Sequence, residues 1–202
     1  MPGVPETAVP AEVLERLPAT SPPPPWRLPT RSVVWLSRGA APGVRSLPVT
    51  VSALVDYLDS PVGPYREVFA GVLLRRFGLP TVHVPFIAVD SLPSLRAGRV
   101  HWALPKAPAT FTGAVGERTR IAGTGWSVDV AARAYGPRLP AAGLVLAAQS
   151  GRRFLVGVRG TVRPAWVTVT AAGPTIGDWL GSGRHPGFIA SGHVIVHRAR
   201  VP

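Results

Sequence analysis

Proline and glycine interrupt this chain too often for long helices to form. There are 24 prolines and 22 glycines in 202 residues. A proline inside a helix removes a hydrogen bond and clashes with the preceding turn, at a cost of about 3 kcal/mol. Between the interruptions lie short apolar, β-branched runs, the pattern of many strands joined by tight turns. A hydrophobic share of 46% against 16% charged residues gives those strands a core to bury. The expected fold is mainly β with a minor α component. It is a single antiparallel sheet, curled or closed into a barrel-like form, with a few short helices.

Residues 1–25 read as a proline-rich lead segment. Within it 5–17 predicts a short amphipathic helix, and Ser21-Pro22-Pro23-Pro24-Pro25 forces an extended linker. Residues 26–202 show no composition break and are expected to form one domain. Strands are expected over 32–36, 49–57, 66–74 and 81–89, then over 109–115, 125–134, 154–158, 161–170 and 188–197. Ser91 as N-cap and Gly98 as terminator predict a helix of about two turns. A second short helix is expected over 175–180.

Several function classes fall away at once. The chain has no cysteine, so disulfides, thiolate metal sites and thiol nucleophiles are excluded. No apolar run reaches bilayer length, and the first residues lack the charged-then-apolar order of a secretory signal, so a cytoplasmic protein without membrane contact is expected. Neither a phosphate loop nor a dinucleotide fingerprint occurs, Gly181-Ser182-Gly183 being too short, and no Gly-x-Ser-x-Gly elbow occurs. No cofactor is expected. His193 and His197 lie four apart but lack a third metal ligand, so no metal is expected. The formal charge of +12 raises nucleic acid as a partner. Against it, the arginines are spread out, and pairs such as Arg75-Arg76 and Arg152-Arg153 are the densest runs. The expectation is no nucleic-acid partner.

The charge is uneven in a more informative way. Of the 22 basic residues, 21 are arginine and one is lysine, Lys106. Arginine does not deprotonate in a protein, whereas a buried lysine can lose its proton and act as a nucleophile. Lys106 closes the segment Gly98-Arg99-Val100-His101-Trp102-Ala103-Leu104-Pro105-Lys106. Pro105 fixes the local backbone, and Trp102 and Leu104 supply apolar bulk. Such surroundings disfavour the charged ammonium and prepare the amine to attack a ketone. The alternative is a lysine whose stem lies on Trp102 while its head reaches water.

This segment resembles the acetoacetate decarboxylase family, whose pattern is Gly-Arg-Glu, a short apolar stretch, then Pro-Lys-Lys. The run Tyr57-Leu58-Asp59-Ser60-Pro61-Val62-Gly63-Pro64-Tyr65-Arg66-Glu67 is similar to the loop and strand that deliver that family's active-site glutamate. The resemblance spans roughly residues 26–111. It implies Lys106 as the Schiff-base residue, Glu67 as the matching carboxylate and Arg31 as the cation facing a substrate carboxylate. His101 and Trp102, beside the lysine, are further candidates for substrate contact. Two positions depart from the pattern: Ala107 replaces the second lysine, and Val100 replaces the glutamate of Gly-Arg-Glu.

The implied activity is a cofactor-independent lyase that decarboxylates a small β-keto acid. Aldolase or dehydratase chemistry through the same lysine, or ligand binding without turnover, are the alternatives. The implied partners are a small oxo acid and further copies of the chain in a homo-oligomer. Arg66 is expected on the strand face opposite Glu67, as surface charge.

Overall fold

Trp26 and Leu28 are buried while Arg27 and Arg31 are exposed, as a strand with one face against a core requires. This strand, β1 (Trp26–Ser37), opens the sheet in the computed structural model, which describes residues 4–39, 46–76 and 79–201. The first three residues of the lead segment lie outside the described residues. The chain continues through β2 (Ser46–Tyr57), β3 (Tyr65–Arg76), β4 (Leu79–Val89), β5 (Lys106–Pro108), β6 (Thr110–Gly113), β7 (Arg118–Gly123), β8 (Trp126–Ala134), β9 (Leu139–Gln149), β10 (Arg152–Ala172) and β11 (Gly183–Val196). The helices are α1 (Ala11–Glu15), α2 (Leu92–Trp102) and α3 (Ile176–Leu180).

All the strands belong to one sheet. Its order runs β11-β1-β2-β3-β4-β9-β10, and a further pairing of β10 with β11 closes these seven strands into a ring. The second half of β10 also pairs with β8, which extends the sheet through β7 and β6. Pairing is antiparallel except where β4 meets β5 and β9. The expected fold class is therefore the observed one.

The sheet buries both faces. One core cluster draws on every ring strand, through residues such as Leu28, Val55, Tyr65, Val89, Ala147, Phe154 and Val194, and so fills the ring. Leu95, Ala97 and Trp102 of α2 join it. The other cluster lies on the opposite face, where Trp35, Leu54, Val68 and Phe86 pack against Ile121, Val128 and Val167.

Four expectations need correction. The lead helix over 5–17 is interrupted: Pro5–Thr7 forms a 3-10 turn and α1 starts only at Ala11, because Pro10 cannot sit inside a helix. Gly98 does not end α2, which runs another turn to Trp102 and stops at Ala103, a left-handed residue with φ of 55°. The strands expected over 154–158 and 161–170 are one 21-residue strand, β10. The strand expected over 109–115 is shorter, β6 over Thr110–Gly113, and β5, β7 and β9 were not anticipated.

Candidate active site

Strand register brings Glu67 and Lys106 to the same face. Glu67 on β3 pairs with Val55 on β2 and Val89 on β4. Lys106 on β5 pairs with Ile87 on β4, which pairs with Phe69 on β3. Directly paired residues share a face, and so do residues two apart. Glu67 and Lys106 thus point into the ring from strands two places apart, about 10 Å between backbones. Two long side chains span that gap and meet at 2.6 Å, Lys106 Nζ to Glu67 Oε2. Both are buried, with 3% and 4% of their surface exposed.

Helix α2 covers the lysine, and its sequence is shaped to do so. The Ser91 hydroxyl accepts from the Ser94 N–H at 3.3 Å, a conventional N-cap. One turn in, Ser94 Oγ accepts a hydrogen bond from Lys106 Nζ at 2.9 Å. One turn further is Gly98. A Cβ there would lie 2.5 Å from Lys106 Cδ and 2.6 Å from Cε. The glycine is therefore required in mid-helix, where it costs about 1 kcal/mol relative to alanine, because the lysine stem runs across its Cα. Arg99 follows it, and its Nε donates to the Lys106 carbonyl at 2.8 Å. The Gly-Arg and Pro-Lys pairs thus meet in space: one residue leaves room for the stem and the next bonds the backbone.

Two phenols complete the site. Tyr57 OH donates to Glu67 Oε1 at 3.1 Å, leaving Oε2 to the lysine. Tyr65 lies under the amine, with Nζ 5.2 Å from its ring centroid, and its ring is 4.5 Å from that of Tyr57. Burial first, and the Glu67 charge second, hold both hydroxyls well above their ordinary ionisation range. They are proton donors throughout the physiological range. The cluster therefore combines an amine, a carboxylate paired with it and a phenol that orients the carboxylate.

The remaining sequence candidates are placed elsewhere. Arg31 pairs with Asp56, which pairs with Arg66, and this row lies on the sheet face opposite Glu67. One residue of strand phase separates it from the site, so it does not face Lys106. His101 Nε2 is 2.9 Å from Ser21 Oγ in the lead segment. Trp102 is buried against Trp26 and donates to the His197 carbonyl at 2.8 Å. Neither hydrogen-bonds Lys106 or Glu67 among the described residues. Arg66 lies on the outer face as expected, paired with Asp90 at 2.8 Å.

The two departures from the family pattern also find a place. Ala107 pairs with Ala88 of the opposite core, so a side chain at 107 points away from the amine. Val100 lies on the exposed side of α2. Tyr57 and Ser94 are site residues that the sequence reading missed. For Tyr57 a signal existed: counting out from the turn at 58–64, Tyr57, Tyr65 and Glu67 fall on one hairpin face.

No protein-family model matches this sequence, and no curated protein matches it significantly. Solved structures do match. An acetoacetate decarboxylase superposes with a TM-score of 0.65 over 96% of this chain and 98% of that one, at 13% identity. The enduracididine biosynthesis enzyme MppR, complexed with pyruvate, gives 0.62 over 90% and 91%, at 16% identity. The acetoacetate decarboxylase of Legionella pneumophila gives 0.62 over 92% and 90%, at 12% identity. The chain has the acetoacetate decarboxylase-like fold.

Proposed function

We propose that this chain, built on the acetoacetate decarboxylase-like fold, is a lyase that forms a Schiff base through Lys106 and decarboxylates a small β-keto acid. The observation that carries the reading is the buried contact of 2.6 Å between Lys106 and Glu67. A buried amine and carboxylate at hydrogen-bond distance can exchange a proton without water. Glu67 takes a proton from the ammonium, and the neutral amine adds to the keto carbon. The protonated Glu67 returns that proton to the carbinolamine oxygen, which leaves as water and gives the iminium.

Bond cleavage follows from the electrostatics. The carbon–carbon bond to the carboxylate breaks, its electron pair moves toward the iminium nitrogen, and carbon dioxide departs from a neutral enamine. This step annihilates one positive and one negative charge, so a low-dielectric site favours it. Glu67, oriented by Tyr57, takes up a proton from solvent and delivers it to the enamine carbon, and water hydrolyses the product iminium, which releases the ketone and restores the Lys106 ammonium. Ser94 holds the amine in line. No cofactor enters this sequence.

One observation favours a second reading. Arg31, the cation implied for the substrate carboxylate, lies across the sheet from the amine. Aldol or dehydration chemistry through the same iminium would not need that anchor for bond cleavage. A solved neighbour holds the condensation product of pyruvate and an aldehyde.

The experiment is reductive trapping. The protein is incubated with acetoacetate or pyruvate and borohydride, adducts are mapped by mass spectrometry, and carbon dioxide and condensation products are assayed alongside. An adduct on Lys106 with carbon dioxide release from acetoacetate is expected. A Lys106 adduct with only condensation or dehydration products selects the second reading. Absence of any adduct across several keto acids overturns both.

A further inference from the structure

We infer that Arg99 is a positioning residue for Lys106, and that through Arg99 the lead segment is part of the active-site scaffold; the inference rests on the Schiff-base reading above. The backbone beneath the amine is weakly held by the sheet. β5 runs for only three residues, Lys106–Pro108, with Pro105 immediately before it. Pro105 and Pro108 have no N–H to give to a ladder. The Lys106 N–H turns back on its own chain, donating to the Leu104 carbonyl at 2.9 Å.

Arg99 supplies what the ladder lacks. Its Nε donates to the Lys106 carbonyl at 2.8 Å, and its Nη2 donates to the Thr7 carbonyl at 3.1 Å. A guanidinium is a planar, rigid fork, so bonding both oxygens fixes one relative to the other. Thr7 is itself anchored. Its N–H and hydroxyl both donate to the Val4 carbonyl, at 2.9 and 2.8 Å. Its neighbour Glu6 is buried, and its two oxygens accept from the Thr175 N–H at 2.6 Å and the Thr175 hydroxyl at 2.8 Å. A chain of hydrogen bonds therefore runs from the residue that caps α3, through the lead segment and Arg99, to the backbone of Lys106.

Burial lowers the proton affinity of Arg99, but a guanidinium stays charged in a protein, so the clamp does not switch with pH. Its two bonds go to carbonyls, and none goes to Lys106 Nζ or Glu67 among the described residues. Its effect is on where the amine stands. A lysine ammonium at 99 is a compact point charge that reaches one carbonyl and leaves the other without its bond.

The test uses the full chain carrying Arg99→Ala, Arg99→Lys or Glu6→Ala. Circular dichroism and melting temperature confirm folding. Two rates are then read: borohydride trapping of acetoacetate on Lys106, and enaminone formation with acetylacetone. The second reports Lys106 whether or not the protein turns over a keto acid, because the parent chain has one lysine and peptide mapping by mass spectrometry separates it from the N-terminus and from the lysine that Arg99→Lys introduces. Folded Arg99→Ala is expected to lose about tenfold in both rates, as a misplaced nucleophile does. Millimolar guanidinium chloride should restore much of the loss in Arg99→Ala and none in Arg99→Lys, which is expected to be slowed as well. Glu6→Ala should slow the reactions less than Arg99→Ala.

Two outcomes overturn the inference: folded Arg99→Ala reacting at the parent rate, or a loss that guanidinium does not restore. If Arg99→Ala does not fold, Arg99→Lys decides, since parent-like rates there overturn the clamp. If the parent forms no keto-acid adduct but the acetylacetone rate still falls and is rescued, the Schiff-base reading fails and the positioning role stands.

Discussion

Arginine at position 106 would keep the positive charge and the partner Glu67 but could not add to a ketone, so it separates pairing from nucleophilicity. The larger fork must fit beneath α2, where the lysine stem already fills the space left by Gly98. Lys106→Arg should therefore abolish trapping, keep the fold, and cost about 1–3 kcal/mol from overpacking. Trapping and melting temperature measured beside the parent check this, and an active variant would end the Schiff-base proposal. At this scale Lys106 and Glu67 were legible, one as the only lysine and both through the family resemblance. Ser94 and Tyr57 were not. Ser94 becomes a site residue only when α2 lies over β5, and Tyr57 depends on the β2–β3 register. Arg31 was misplaced because shifting a strand's phase by one residue moves every side chain to the other face.

Elements were legible where burial alternates and obscure where tertiary packing overrides local signals. β9, Leu139–Gln149, is apolar on both faces and leaves Leu144 66% exposed, so it carries no period-two pattern. β10 contains Gly157, inside the first of the two expected strands, and Gly160, which falls in the gap between them. Gly160 instead lies opposite Gly192 of β11, and a Cβ on it would collide with the Ser191 carbonyl and come within 2.7 Å of the Gly192 Cα. Its missing side chain lets the two strands pair at that point. A Cβ on Gly157 meets nothing nearer than Ile195 Cβ at 4.0 Å. Gly160→Ala should cost at least about 2 kcal/mol, against about 0.5 kcal/mol or less in either direction for Gly157→Ala. Urea unfolding of the two variants checks this, and equal midpoints would refute the close approach of β10 and β11. Gly98 misled the reading of α2 in the same way, since a glycine serving a neighbour's side chain has the local signature of a helix stop.

For the whole molecule, the ring that houses the site also sets an alkaline limit on stability. Tyr57 and Tyr65 lie inside it, and burial followed by the Glu67 charge raises both phenols well above their ordinary range. In the unfolded chain both ionise near pH 10. Above that pH the unfolded state gives up two protons that the folded state keeps, so folding stability falls as pH rises. Their contribution is fully present below about pH 10 and drains away above it, up to the raised folded values. Each phenol accounts for about 1.4 kcal/mol per pH unit in that window, and the pair for about twice that. Thermal unfolding from about pH 8 to about pH 11 should therefore show a plateau and then a steep fall in melting temperature. Tyr57→Phe removes one of the two phenols together with its bond to Glu67. It should start from a lower melting temperature and fall at a shallower slope. A spectrophotometric titration gives the independent check, because the chain has three tyrosines. The folded protein near pH 11 should show phenolate absorbance from no more than one of them. If all three ionise together while the protein remains folded, Tyr57 and Tyr65 are not sealed inside the ring, and the water-poor site that the proposed decarboxylation requires is lost with them.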